Sequence, residues 1–276
     1  MRERSRAWRA RGERIGLVPT MGNLHGGHLE LVDRLAGEVD RLVVSIFVNP
    51  LQFGPDEDYD SYPRTLEADL AALEERGVAA AFAPTAREMY PGAEPPRTGI
   101  DVPALTGTLC GASRPGHFAG VAVVVVKLLN IIEPDVAIFG RKDYQQLQVV
   151  RRVVHDLDLP VAIRDGPVVR EADGLALSSR NSYLAPEQRR RAPALYAALC
   201  ELAAALRDGR RDLAALEAQG RERLLAAGFD AVDYVAVRRC EDLAEPRGDE
   251  ACLVCLGAAY LGSARLIDNV EVALHV

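Results

Sequence analysis

A chain of 276 residues with 49% hydrophobic and 26% charged side chains can bury a large core, and it has the composition of a globular protein of about two domains. The formal net charge of −7 argues against a general nucleic-acid or membrane-surface binder, and no apolar run approaches the roughly 20 residues that span a bilayer. Residues 1–14 are Arg-rich with no apolar stretch behind them, unlike a signal peptide. The five scattered cysteines then predict a reducing cytoplasm.

Residues 1–12 read as a short helix. The apolar run 15–18 predicts a buried strand, and a turn-rich loop from Pro19 to Gly27 follows it. An amphipathic helix is then predicted over 28–37, with Leu29, Leu31, Val32 and Leu35 at its apolar positions. Residues 42–48 form a near-continuous apolar run with β-branched residues, the pattern of a parallel strand buried on both faces, ended by Asn49-Pro50. A polar loop over 51–64 contains Gln52 and the acidic run 56–58. A helix over 65–76 and a strand over 78–82 follow, and 83–116 reads as irregular with brief elements. A buried helix is predicted over 121–132, a strand over 136–139, a helix over 144–156 and a strand over 161–164. This alternation predicts an α/β fold, a Rossmann-like parallel sheet with helices on both faces and right-handed crossovers.

Past Asn181 the order changes. Helices over 186–207 and 213–227 precede strands near 232–238, 252–260 and 264–269, which predicts a smaller C-terminal α+β domain. The domains are expected at 1–176 and 177–276. Cys252 and Cys255 form a C-x-x-C inside an apolar strand run with no second ligand pair, so they are expected as buried strand cysteines.

In an open α/β sheet, ligands bind beyond the carboxyl ends of the strands. Four loops there carry unusual chemistry. The first holds His25 and His28, spaced to share one side of a helical turn, at a helix N-terminus whose backbone N–H groups and dipole favour an anion. An arriving triphosphate favours the charged rings, each then a donor to phosphate. A zinc pair would lack a third ligand and the H-E-x-x-H spacing. The second loop, residues 49–54, offers Gln52, a neutral donor and acceptor suited to a hydroxy acid. The third, Gly140-Arg141-Lys142-Asp143-Tyr144-Gln145-Gln146, puts Lys142 near a helix N-terminus, an unfavourable place for a cation unless an anion joins it. Lys142 and Lys127 are the two lysines among 33 basic residues, as if a compact ammonium were kept where a guanidinium would not serve. The fourth, Leu177-Ser178-Ser179-Arg180-Asn181, places two hydroxyls and a guanidinium where they could close over a triphosphate. Asparagine is scarce, and three of the five, Asn23, Asn49 and Asn181, fall in these loops. Neither G-x-x-x-x-G-K-[ST] nor G-x-G-x-x-G occurs.

Taken in order, P-T-M-G-N-L-H-x-G-H, S-I-F-V-N-P-x-Q-F-G, Y-P-R-T, G-x-K-D-Y-Q-Q and S-S-R-N closely resemble the pantothenate synthetase (pantoate–β-alanine ligase) family, from about residue 15 to the C-terminus. His25-Gly26-Gly27-His28 looks like the HIGH motif of the wider nucleotidylyltransferase and class I aminoacyl-tRNA synthetase superfamily, and residues 177–180 look like a relative of its KMSKS loop. The resemblance implies that ATP and pantoate give pantoyl-adenylate and pyrophosphate, and that β-alanine then displaces AMP to give pantothenate. It also implies Mg²⁺ and a homodimer.

By resemblance, ATP falls to Met21, Gly22, Asn23, Leu24, His25, Gly26, Gly27 and His28, to Gly140, Arg141, Lys142 and Asp143, to the backbone of Val169, and to Leu177, Ser178, Ser179 and Arg180. His28, Lys142 and Arg180 are the implied catalytic residues. Pantoate and β-alanine fall to Gln52, Gln146, Pro19 and Met21, and a metal to Asp69. The chain departs from the family pattern at Arg141, often Glu there, at Val123 for Thr and at Ala68 for Asp, and the segment before Ile15 is short. The alternative is a related nucleotidylyltransferase that moves AMP or CMP onto a phosphate ester. That acceptor would want a basic pocket, whereas Gln52 and Gln146 are neutral.

Overall fold

The computed structural model describes residues 1–55, 57–92 and 98–274, so Asp56 of the acidic run lies outside the described residues. Contacts divide the chain into two units, Met1–Arg141 with Gln145–Pro167, and Lys142–Tyr144 with Val168–Val276.

In the first unit a short helix, α1 (Arg2–Ala10), precedes β1 (Ile15–Thr20). Helix α2 (Gly26–Ala36) crosses to β2 (Arg41–Ile46), and α3 (Leu66–Glu74) to β3 (Ala80–Phe82). Three brief helices follow, α4 (Ala86–Met89), α5 (Pro103–Thr106) and α6 (Cys110–Ser113). The long α7 (His117–Ile132), β4 (Val136–Gly140), α8 (Tyr144–Asp156) and β5 (Ala162–Gly166) complete the unit, apart from residues 142–144. All five strands are parallel, in the order β3-β2-β1-β4-β5.

The apolar runs explain the layering. Alternate strand residues point to opposite faces. Leu17, Val43 and Ala137 face a core with Trp8, Val121 and Leu147, from α1, α7 and α8. Val18, Val44 and Ile138 face Leu31, Leu35 and Leu73, from α2 and α3. With both faces covered, these strands need no polar alternation. β1 lies between β2 and β4, so the connections run outward in both directions from it, and a crevice is expected beyond its carboxyl end.

The structure extends the first strand. Pro19 and Thr20, expected in the loop, pair in register with Ser45 and Ile46, and the Thr20 hydroxyl donates to the Ser45 carbonyl at 2.7 Å. Helix α2 begins at Gly26 rather than His28, with His25 as its cap.

The second unit contains α9 (Pro186–Arg191), α10 (Ala194–Arg207), α11 (Leu213–Ala226), β6 (Ala231–Arg239), β7 (Cys252–Leu261) and β8 (Ala264–Ala273). The expected single helix over 186–207 is broken in two around Pro193, which has no N–H to continue the ladder. The strands form an antiparallel sheet in the order β6-β7-β8, covered by Leu195, Leu199, Leu202 and Leu216 of α10 and α11. β8 runs four residues past Asn269, because its polar Asp268 and Asn269 are buried by partners rather than exposed.

The cysteines depart from expectation. Residues three apart on a strand face opposite sides. Cys255 is accordingly buried and free, while Cys252, at the start of β7, is disulfide-bonded to Cys240, just past the end of β6, at a Cα separation of 5.7 Å. Antiparallel pairing brings those two strand ends together, which the spacing in sequence does not reveal. No helix among the described residues is long and apolar enough to cross a membrane.

Candidate active site

The loop after β1 is held by polar side chains, some its own and one, Asp69, from α3. Gly22 and Asn23 both take positive φ, 80° and 50°, which turns the chain sharply out of the sheet. The Gly22 N–H donates to the Thr20 hydroxyl at 3.2 Å. The Asn23 and Leu24 N–H groups donate to the two oxygens of Asp69 at 2.9 and 2.8 Å. His25 then caps α2: its Nδ1 accepts from the Gly27 N–H at 3.1 Å, and the His28 Nδ1 accepts from the His25 N–H at 3.4 Å. The two rings lie 4.1 Å apart between centroids.

This cap assigns the tautomers. An Nδ1 that accepts a backbone N–H carries no proton, so each neutral ring holds its proton on Nε2. Each ring then presents its Nε2–H as a donor. Protonating Nδ1 would break the cap. Several backbone N–H groups at this helix mouth, expected to face a ligand, are engaged within the protein. Those of Asn23, Leu24, His25 and Gly27 are taken by side chains, and those of His28 and Leu29 by the His25 carbonyl.

Gln52 sits in a short 3₁₀ turn, Pro50–Gln52, and is buried. Its Nε2 donates to the Met21 sulfur at 3.3 Å, and its Oε1 accepts from Asn49 at 3.0 Å. Asn49 is fully engaged in turn. Its amide also donates to the Gly120 carbonyl at 3.1 Å, and its Oδ1 accepts from the Tyr90 hydroxyl at 2.7 Å. Burial pushes the Tyr90 phenol well above its ordinary range, so it stays a neutral donor. A Cβ on Gly120 would stand 2.2 Å from the Leu51 carbonyl oxygen, so glycine is what lets α7 approach this turn. Lys127, singled out as a rare lysine, lies 5.6 Å from the Tyr90 ring centroid as a cation–π partner.

Behind Gln52 lies a second polar knot. Its carbonyl accepts from His117 Nδ1 at 2.7 Å and from Arg114 at 3.3 Å. Arg114 pairs with Glu57 at 2.5 and 2.6 Å. Burial alone would raise the Glu57 carboxyl, but Arg114's hydrogen bonds and charge outweigh it and hold the group below the usual range. Asn49 was flagged by the scarcity of asparagine; nothing in the local sequence pointed to Tyr90, Arg114 or His117.

Pro19, Met21 to His28, Gln52 and Asp69 are thus brought together in the first unit. Gln146 is half-buried on α8, next to Gln145, whose amide is spent on the backbone of Leu105, Thr108 and Cys110. Gly140 ends β4. Arg141, which departs from the family's Glu, is ion-paired to Asp165 of β5, which Arg151 also binds at 2.5 Å. Partial burial would raise the Asp165 carboxyl, but the two guanidiniums hold it below its ordinary value.

The other expected residues belong to the second unit. Lys142 is half-buried, its carbonyl accepting from Asn269 at 3.0 Å, with its Nζ 3.9 Å from Asp143. The Val169 carbonyl accepts from Leu177 at 2.9 Å in a small hairpin closed by Arg170 and Ala176. Ser178 caps a 3₁₀ turn, Ser179–Tyr183, by accepting from the Arg180 N–H at 3.3 Å. Ser179 is buried and Arg180 half-buried.

Asp69 does not fit Mg²⁺. It is buried, and its Oδ1 accepts both the Leu24 N–H and the Thr65 hydroxyl, at 2.8 and 3.1 Å. A magnesium ion would need one of those oxygens at about 2.1 Å in octahedral geometry. Among the described residues no group of three His, Cys, Asp or Glu side chains is placed to hold a metal.

The sequence was also compared with known proteins. It is 81% identical to the pantothenate synthetase of Halorhodospira halophila over 274 residues, 99% of this chain and 96% of that one. It is 58% identical to that of Alkalilimnicola ehrlichii over 97% and 93% of the two chains. The crystal structure of pantothenate synthetase from Thermus thermophilus matches with a TM-score of 0.89 at 48% identity, covering 96% of each chain. That of the Francisella tularensis pantoate–β-alanine ligase, complexed with β-γ ATP and β-alanine, matches with a TM-score of 0.79 at 32% identity, over 97% and 94%. The sequence profile of the pantoate–β-alanine ligase family matches residues 1–271, and the chain belongs to that family.

Proposed function

We propose that this chain condenses pantoate with β-alanine at the expense of ATP, forming pantothenate, AMP and pyrophosphate. Within the structure, the observation that carries the reading is the hydrogen bond from Gln52 to the Met21 sulfur. It joins a buried neutral amide, suited to a hydroxy acid, directly to the histidine loop. The Francisella relative's complex with an ATP analogue and β-alanine supports the same substrates.

In the first step a pantoate carboxylate oxygen attacks the α-phosphorus. The P–O bond to pyrophosphate breaks, and the acyl-adenylate forms. In the second step the β-alanine amine attacks the acyl carbon, the C–O bond to AMP breaks and the amine loses a proton. Neither step needs a protein nucleophile. The work is alignment and charge neutralisation, which we assign to the Nε2–H of His28, the ammonium of Lys142 and the guanidinium of Arg180. The loop at 177–180 covers the phosphates, and 177–276 acts as a lid domain that keeps water from the reactive adenylate. Gln52 and Gln146 hold pantoate, with Pro19 and Met21 at its border with ATP, and Gln52 also meets β-alanine. Mg²⁺ enters on the nucleotide's phosphates as part of the substrate. The enzyme works as a homodimer in the cytoplasm, where ATP is plentiful.

Transfer of AMP or CMP to a phosphate ester is not favoured. The cation beside Gln52 is Arg114, and it is committed to Glu57. The test is ATP–pyrophosphate exchange with and without pantoate, followed by β-alanine-dependent AMP release. Exchange that ignores pantoate overturns the assignment.

A further inference from the structure

We infer that Asp69 is a positioning residue for the nucleotide loop, acting as a latch on Asn23 and Leu24 rather than as a ligand of Mg²⁺. The inference rests on the reading of residues 21–28 as the ATP loop. Successive N–H groups in a turn with positive φ form a concavity that binds an anion. Here the anion is built in. Asp69 sits in the first turn of α3, almost fully buried, and fills the concavity with both oxygens at 2.8 and 2.9 Å.

The latch has an orienting bond of its own. The Thr65 hydroxyl donates to Asp69 Oδ1 at 3.1 Å, which sets the plane of the carboxylate. The fit is close on the loop side as well: a Cβ added to Gly22, at φ 80°, would lie 3.0 Å from Asp69 Oδ2 and 3.0 Å from Ile46. The loop also has room to move. Met21 and Gly22 line a cavity of about 270 Å³ whose other walls include Phe47, Thr65, Asp69 and Thr85. Without the carboxylate, the two N–H groups would lose their partners beside an open space. The His25–His28 cap, which follows directly, would lose its fixed starting point.

Besides its bond to the Met21 sulfur, the Gln52 side has holders of its own in Asn49, Tyr90 and the Gly120 carbonyl. The latch therefore serves ATP selectively, and this separates positioning from general stability. A metal ligand and a latch also differ in one measurable way: loss of a ligand weakens ATP binding only through Mg²⁺, whereas loss of a latch weakens it with or without the metal.

The experiment titrates ATP by calorimetry onto the full chain, wild type and Asp69→Asn, in MgCl₂ and separately in EDTA, and measures pantoate KM alongside. Losing one charge-assisted bond predicts ATP binding weakened about 10-fold or more in both buffers, with pantoate KM unchanged. Thr65→Val gives a smaller change of the same pattern. Gly22→Ala, which displaces the loop but leaves the carboxylate, gives a change like that of Asp69→Asn. A deficit seen only with Mg²⁺, or ATP binding equal to wild type in both buffers, overturns the latch. Should Asp69→Asn fail to fold, Gly22→Ala and Thr65→Val decide by the same comparison of buffers. Absence of ATP binding by the wild type would instead defeat the reading of the loop itself.

Discussion

The loop at 21–25 is pinned at its tip, and the loop at 177–181 at its root. In the first, a buried carboxylate from α3 grips Asn23 and Leu24, and the cap formed by His25 and His28 closes the turn. In the second, the hairpin before Leu177 is tied down by Arg170. Its guanidinium makes a bidentate pair with Asp268 at 2.6 and 2.9 Å and lies 3.6 Å from the Tyr196 ring centroid. Beyond that root, the bonds of the tip include Ser178 Oγ to the Arg180 N–H and the Asn181 amide to the Ala176 carbonyl at 3.0 Å. A tip-pinned loop keeps its shape before a ligand arrives. A root-pinned loop fixes where its tip starts.

Breaking the root should give the largest effect. Arg170→Ala leaves Asp268 buried and unpaired, and the second unit should lose about 3–5 kcal/mol, read as a lowered denaturant midpoint. A midpoint within error of wild type would mean that the root does not depend on the pair. Lys142→Ala tests the phosphate charge directly. Pantoate-dependent pyrophosphate exchange should fall on the order of 10²-fold or more with the melting temperature unchanged, and near-normal exchange would remove Lys142 from the site.

Asn49→Ala sharpens the first region by separating its two halves. It strips Gln52 and the Tyr90 hydroxyl of a partner, so pantoate KM should rise about 10-fold while ATP affinity holds. A matching loss of ATP affinity would show that the halves are coupled. The smallest effect is expected at Glu57. Its folded pKa is depressed against an ordinary 4.5, so its contribution to stability is complete above that value and is lost as pH falls through the folded pKa. Wild type should therefore lose stability more steeply than Glu57→Gln below about pH 4.5, as measured by urea melts across that range. Parallel acid limbs would mean that the Arg114 pair adds nothing.

Much of the fold was legible in the residues alone. Apolar runs of four to seven residues announced the parallel strands, and the His25–His28 spacing marked a strand–loop–helix junction as the candidate loop. Gln52 and Lys142 stood out by type. These signals are local, because strand burial, helix spacing and turn chemistry operate over a few neighbours. What stayed hidden depends on partners brought together by the fold. Asp69 was legible as an acidic residue, but its role is decided by N–H groups 45 and 46 residues earlier. Arg141 stood out as a departure from the family's Glu, but its partner, Asp165, lies 24 residues on. Cys240 and Cys252 were joined by the pairing of β6 with β7. A carboxylate, a guanidinium and a thiol each have several possible fates of similar local energy. The sequence by itself determined which groups were present and where the chain turned, while the tertiary structure alone decided which partner each polar group would meet.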